Sequence, residues 1–144
     1  MEIKNRQAYY EYFIDDKLQA GIALLGTEVK SLRAGKASFA DAYCIFYDGE
    51  LWLKEMNIAE YSHGTVNNHD AVRDRKLLLT KRELKKWQGK LKEKGYTIIP
   101  LRMFMNDKNF VKLEIGLAKG KKLHDKRDSI KQKDNDRELK RFLK

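Results

Sequence analysis

The chain reads as a mainly β protein carrying one or two short helices and a basic C-terminal tail. Three observations lead there. Short aromatic and β-branched runs recur through the first two thirds, separated by Asp, Asn and Gly. Only two stretches carry helix start and stop signals. Beyond Leu117 the apolar residues thin out and Lys and Arg take over.

The elements follow in order. Residues 9–14 are aromatic and β-branched and predict a strand. The turn-like Asp15-Asp16-Lys17 comes next, then an apolar run over 20–25 that predicts a second strand. Residues 27–33 predict a short helix stopped by Gly35. Residues 43–47 and 51–53 flank Asp48-Gly49, a two-residue hairpin signal, because such turns need positive φ at both central positions. A longer helix is predicted over 81–94. Thr80 and Glu83 have capping-box spacing, Leu84, Trp87 and Leu91 form one apolar stripe, and Gly95 ends it. A second hairpin pairs 96–105 with 110–117 around Asn106-Asp107-Lys108. Pro100 lies inside its first strand and marks an edge or a bulge, since proline donates no ladder hydrogen bond.

Five or six short antiparallel strands with an intervening helix suit a small closed barrel of the oligonucleotide-binding (OB) type. The expected organisation is an OB-like RNA-binding barrel domain over residues 1–120 and a basic tail over 121–144, disordered until bound. Residues 119–144 hold 11 Lys/Arg against 5 Asp/Glu. Leu123, Ile130, Leu139, Phe142 and Leu143 are too scattered there to build a core.

Charge narrows the function. The net charge of +10 is unevenly spread: residues 1–72 carry 7 Lys/Arg and 11 Asp/Glu, residues 73–144 carry 24 and 10. Concentrating +14 in one half costs self-repulsion, which a polyanionic partner relieves. No segment approaches the ~18 apolar residues that span a bilayer. The N-terminus lacks the apolar core of a signal peptide. Cys44 stands alone, which fits a reducing compartment, so the expected location is cytoplasmic, with neither membrane nor DNA as partner.

Enzyme chemistry finds little support. His63, His69 and His124 with one cysteine make no zinc set at usual spacing. The run from Gly116 to Lys122 imitates a phosphate loop, yet it has three residues between its glycines and Lys122 where a magnesium-binding Ser or Thr belongs. No serine stands in a nucleophile elbow. No catalytic residue, metal or cofactor is expected.

The basic constellations carry more. From Arg73 to Lys94 there are 10 Lys/Arg against 3 Asp/Glu. Arg73, Arg75 and Lys76 precede Leu77-Leu78-Leu79, so the core would anchor them. They are therefore preferred as phosphate contacts over the helix lysines at 85, 86, 90, 92 and 94, whose plain reading is solvation. Tyr9, Tyr10, Tyr12 and Phe13 offer ring faces for unpaired bases, although strand alternation sends half of them inward.

Several segments together resemble the SmpB (SsrA-binding protein) family. They are Asn5-Arg6-Gln7-Ala8, Ala20-Gly21-Ile22, Gly26-Thr27-Glu28-Val29-Lys30-Ser31-Leu32-Arg33, Arg73-Asp74-Arg75-Lys76-Leu77-Leu78-Leu79, and the stretch from Gly116 to Arg127. They occur in family order and span about residues 5–127. The resemblance implies an OB-type barrel that holds the tRNA-like domain of tmRNA (SsrA RNA). It implies delivery to stalled ribosomes for trans-translation, with elongation factor Tu an indirect partner. The tail would then occupy the empty mRNA channel near the decoding centre, against small-subunit rRNA. By the same resemblance, Asn5, Arg6, Glu28, Lys30, Arg75, Lys76 and Lys112 fall in RNA-facing or supporting blocks. Arg73, Lys119, Lys121 and Lys122 join them as RNA-binding candidates. Glu28 repels phosphate, so it either receives base or backbone donors or is the buried partner of an arginine. His124, Asp125, Lys126 and Arg127 match the decoding-centre part. Gln19 departs from the family pattern, which usually carries Glu there. Two other readings compete: an OB protein that contacts ribosomal RNA alone, and a phosphoester-cleaving enzyme.

Overall fold

The structure, a computed structural model, describes residues 1–63 and 68–121. Its elements run β1 (Glu2–Lys4), α1 (Arg6–Glu11), β2 (Tyr12–Ile22), α2 (Gly26–Arg33), β3 (Ala37–Ser38) and β4 (Tyr43–Tyr47). They continue as β5 (Glu50–Lys54), β6 (Asn57–Ile58), β7 (Arg75–Leu78), α3 (Lys81–Leu91), β8 (Tyr96–Met105) and β9 (Val111–Gly120). Seven strands make one antiparallel sheet in the order β1-β8-β4-β5-β7-β2-β9, and β9 pairs with β8 as well as with β2. Strands β8, β4, β5, β7, β2 and β9 thus each have a hydrogen-bonded neighbour on both sides. β3 and β6 form a separate two-stranded ladder. Among the described residues no helix is long and apolar enough to cross a membrane.

Both predicted hairpins form. Asp48 and Gly49 take φ of 51° and 76°, as the tight turn between β4 and β5 demands. The β8–β9 ladder shifts register between Pro100 and Arg102, which puts the proline at a bulge. The capping box of α3 is complete, with Thr80 accepting from the Glu83 amide and Glu83 from the Thr80 amide. Leu84 and Trp87 of this helix are buried in the main core beside Leu51, Leu53, Leu77 and Ile115. Burying each such side chain stabilises by about 1.5–3 kcal/mol, so this cluster dominates the fold.

Four expectations need correction. Residues 9–11 belong to α1, and the strand begins at Tyr12. Docking overrides local preference here, because Ala8 of α1 packs on Ile99, Leu101 and Ala118 together with Tyr12 and Ile14. Asp15-Asp16-Lys17 makes no turn: β2 is one strand of 11 residues, with a register shift between Ile14 and Asp16. The apolar run over 20–25 leaves the sheet after Ile22. The helix predicted to Lys94 ends at Leu91. The sequence reading also missed β1, β3, β6 and β7.

Candidate nucleic-acid interface

The expected RNA-binding residues separate into those that hold shape and those that face solvent. In β7 alternation decides. Leu77 is fully buried and Leu78 is 51% exposed, so the same alternation turns Arg75 inward and Lys76 outward. Arg75 lies opposite Leu53 and is completely buried. Its Nε donates to Glu28 Oε2 at 2.5 Å, Nη1 to the Met56 carbonyl at 2.7 Å and Nη2 to the Ala71 carbonyl at 3.1 Å. Glu28, in the first turn of α2, is equally buried. Its Oε1 accepts from the Leu25 amide at 2.7 Å and from Arg73 Nη2 at 2.6 Å. Arg73 Nη2 also reaches the Ala23 carbonyl at 3.1 Å.

Burial by itself would raise the Glu28 carboxyl. Hydrogen bonds from Arg73, the Leu25 amide and Arg75 outweigh it and hold the pKa below the ordinary 4.5. Burial likewise lowers Arg75, against the opposing pull of Glu28. The triad fixes α2, the end of β2 and β7 relative to one another. Glu28 is thus the buried partner of two arginines, one of the two roles its charge allows, and Arg75 directs its guanidinium to internal acceptors and away from solvent. Arg73, with its side chain 32% exposed, is the member that presents charge outward.

Asn5 is also structural. Its side-chain amide donates to the Pro100 carbonyl at 2.8 Å and its backbone amide to the Leu101 carbonyl at 2.8 Å, tying the start of α1 to β8. His69 is buried between Thr27 and Ile58. Its Nε2 donates to the Ile58 carbonyl at 2.8 Å, so Nδ1 accepts from the Thr27 hydroxyl. Among the described residues, no three His, Cys, Asp or Glu side chains are grouped to hold a metal.

The solvent-facing RNA-binding candidates form two groups, one toward the Tyr12 end of β2 and one toward its Ile22 end, with Lys17 at its middle. At one end, Phe13 of β2, Lys119 of β9 and Tyr96 of β8 stand in one cross-strand row. Lys119 Nζ lies 4.4 Å from the Tyr96 ring centroid, and Lys121 Nζ lies 5.2 Å from that of Phe13. Lys17 Nζ approaches the Tyr9 ring at 5.5 Å, and Arg6, Tyr9 and Lys17 line one open cleft of about 610 Å³. Phe13 is 60% exposed and Tyr9 45%. Cation–π contacts at such exposed sites are worth only about 0.5–1 kcal/mol, so phosphates and bases can replace them. At the other end, Lys112 flanks Gly21 in register, the Lys76 carbonyl accepts from the Ala23 amide, and Arg73 bonds the Ala23 carbonyl. Lys76 is only weakly held, 3.8 Å from Glu50. Lys30 is exposed on α2, 5.3 Å from the Tyr61 ring. Lys112 and Lys119 are seven residues apart on β9, roughly 23 Å at strand rise.

Of the tyrosines weighed for stacking, Tyr10 is the most exposed at 81%, while Tyr12 packs into the α1 cluster. Tyr96 was missed, because only the register of three strands places it across Lys119 from Phe13. Gln19 is exposed and faces Glu114 across the ladder. Lys122, His124, Asp125, Lys126 and Arg127 lie outside the described residues.

The family model described as "SmpB protein" matches residues 2–144. The chain belongs to the SmpB family. The SsrA-binding protein of Parabacteroides distasonis is 53% identical over 144 residues, covering all of this chain and 94% of the relative. That of Cytophaga hutchinsonii is 55% identical over 142 residues, covering 99% and 93%. A chain of a solved structure described as "tmRNA-SmpB: a journey to the center of the bacterial ribosome" superposes with a TM-score of 0.72 at 47% identity, covering 87% of both chains. The fold of this SmpB family member is thus mainly β, a large antiparallel sheet with few short helices, as the sequence predicts at that level.

Proposed function

We propose that this chain binds the tRNA-like domain of tmRNA and delivers it to stalled ribosomes for trans-translation. The observation that carries the reading is full-length similarity to SsrA-binding proteins. The exposed cations among aromatic rings at the Tyr12 end of β2, with further cations at its Ile22 end, supply the chemistry, since phosphates need mobile positive charge and splayed bases need ring faces. Arg6, Lys30, Arg73, Lys76, Lys112, Lys119, Lys121 and Lys122 contact RNA. Asn5, Glu28 and Arg75 position them. His124, Asp125, Lys126 and Arg127 open a basic tail that occupies the empty mRNA channel near the decoding centre, against small-subunit rRNA. The body over residues 1–120 is an OB-type barrel, a reading supported by the double pairing of β9 and by α3 packed into the core. The protein works in the cytoplasm as an RNA-binding factor and not as an enzyme, with elongation factor Tu an indirect partner.

Recovering the tagged protein from bacterial lysate and sequencing the RNA that comes with it tests this. Strong enrichment of tmRNA over tRNA and ribosomal RNA is expected. Recovery of ribosomal RNA alone would replace the proposal with the plain rRNA-binding reading.

A further inference from the structure

Glu114 stands inside the surface that carries the RNA-binding cations. Its neighbours Leu113 and Ile115 are buried in the core, so strand alternation turns Glu114 outward, on the same face as Lys112. Its row across the sheet runs Lys4, Arg102, Glu114, Gln19. Glu114 also lines the cleft of about 610 Å³ that holds Arg6, Tyr9 and Lys17. A carboxylate there repels the phosphates that those cations attract, a cost that an acceptor role toward a base offsets.

Pairing with Arg102 does not account for it. Arg102 already donates to Glu2 at 2.8 Å and stacks on the Phe104 ring at 4.1 Å. Its Nε lies 3.5 Å from Glu114 Oε2, long for a hydrogen bond, and Glu114 Oε1 has no polar partner among the described residues. The Glu114 side chain is nevertheless only 16% exposed. The sheet thus holds it in place with acceptor capacity unused.

We propose that this cleft seats one unpaired guanine of the bound RNA and that Glu114 reads its Watson–Crick edge. The proposal rests on the tmRNA-binding reading and names the base that its surface selects. An ionised carboxylate presents two acceptors side by side. Guanine alone among the four bases answers with two adjacent donors, N1–H and the N2 amino group. Adenine and cytosine set one amino group beside an acceptor nitrogen, and uracil sets one N–H between two carbonyls. The Tyr9 ring, 45% exposed, offers the stacking face, and Arg6 and Lys17 take the flanking phosphates. Arg102 is a positioning residue that keeps the carboxylate turned to the base.

The test titrates the full chain at low salt with three labelled RNA pentamers, UUGUU, UUAUU and UUIUU, where I is inosine. UUGUU should bind about tenfold more tightly than UUAUU, the discrimination of one good two-bond base contact. Inosine, which lacks the N2 amino group, should fall between them. Glu114→Gln should abolish the preference without weakening UUAUU. In the natural chain, UUGUU should shift the amide signals of Tyr9 and Glu114. Equal binding of the guanine and adenine pentamers, or of guanine and inosine, overturns the proposal. So does a preference that survives Glu114→Gln, because stacking alone then explains it, and so do unmoved signals at Tyr9 and Glu114. The tRNA-like domain of tmRNA, titrated in parallel, keeps the two readings apart. If it binds while no guanine preference is seen, this proposal alone fails; if it does not bind, the tmRNA reading fails first.

Discussion

Replacing Glu28 with alanine would leave Arg75 charged and buried with no carboxylate beside it. Breaking one side of such a buried pair typically costs about 3–5 kcal/mol, so urea denaturation of Glu28→Ala should show a loss of that order. The pH dependence has a fixed sign. The folded-state pKa of Glu28 is lowered, so its contribution is complete above the ordinary 4.5 and is lost as pH falls through the lowered value. The gap in stability between Glu28→Gln and the natural chain should be constant near neutrality and close in acid. The arginines should separate by readout. Arg73→Ala should weaken RNA binding and flatten its salt dependence, because Arg73 is part-exposed. Arg75→Ala should destabilise the fold while leaving the salt slope of the molecules that remain folded unchanged. Equal salt slopes for the two variants would refute the division of the triad into positioning and contacting members.

Two glycines give opposite expectations at the level of the element. A Cβ at Gly116 of β9 would sit 3.0 Å from Leu101 Cδ1 and 3.2 Å from Ile14 Cγ2, inside the layer on which α1 docks. Gly116→Ala should cost about 1–3 kcal/mol by overpacking, measured as a lowered urea midpoint. Gly89 of α3 has open space around it, so Gly89→Ala should stabilise by up to about 1 kcal/mol through helix propensity. Both hairpins and α3 were legible beforehand, since Asp48-Gly49 and the Thr80–Glu83 box are local chemistry. α1 was not legible, because its aromatic residues favour a strand and its docking partners Ile99, Leu101 and Ala118 are distant in sequence. Within the candidate site, the inward turn of Arg75 could have been read from alternation with Leu77. The row of Phe13, Lys119 and Tyr96 could not, because no local pattern states the register of three strands.

For the whole molecule, the two basic groups at opposite ends of β2 make RNA affinity a matter of counted phosphates. If six are neutralised, log affinity for tRNA-like RNA should fall against log salt with a slope near −5, at about −0.9 per phosphate. Lys119→Ala with Lys121→Ala should flatten that slope by about two. Lys92→Ala with Lys94→Ala, at exposed positions beyond the end of α3, should do so less. Removing residues 128–144 should spare the body and its RNA affinity but abolish tagging of nascent chains on stalled ribosomes in a reconstituted system. Full tagging by the shortened protein would reduce the tail to a charged appendage.

The double pairing of β9 also governs how the chain comes together. Its ladder with β8 closes a short hairpin, whereas its ladder with β2 joins Gly120 to Tyr12 across nearly the whole described chain. Contacts of that separation place folding in the slow, millisecond-to-second class typical of all-β topologies, of order a thousandfold slower than helical bundles. Until residues 111–120 have been synthesised and have turned back, β2 and β8 each keep an unpaired edge, the template on which strands of other chains add. A product cut short before β9 is thus a sheet with two open edges, more prone to aggregate than to reach a smaller native state.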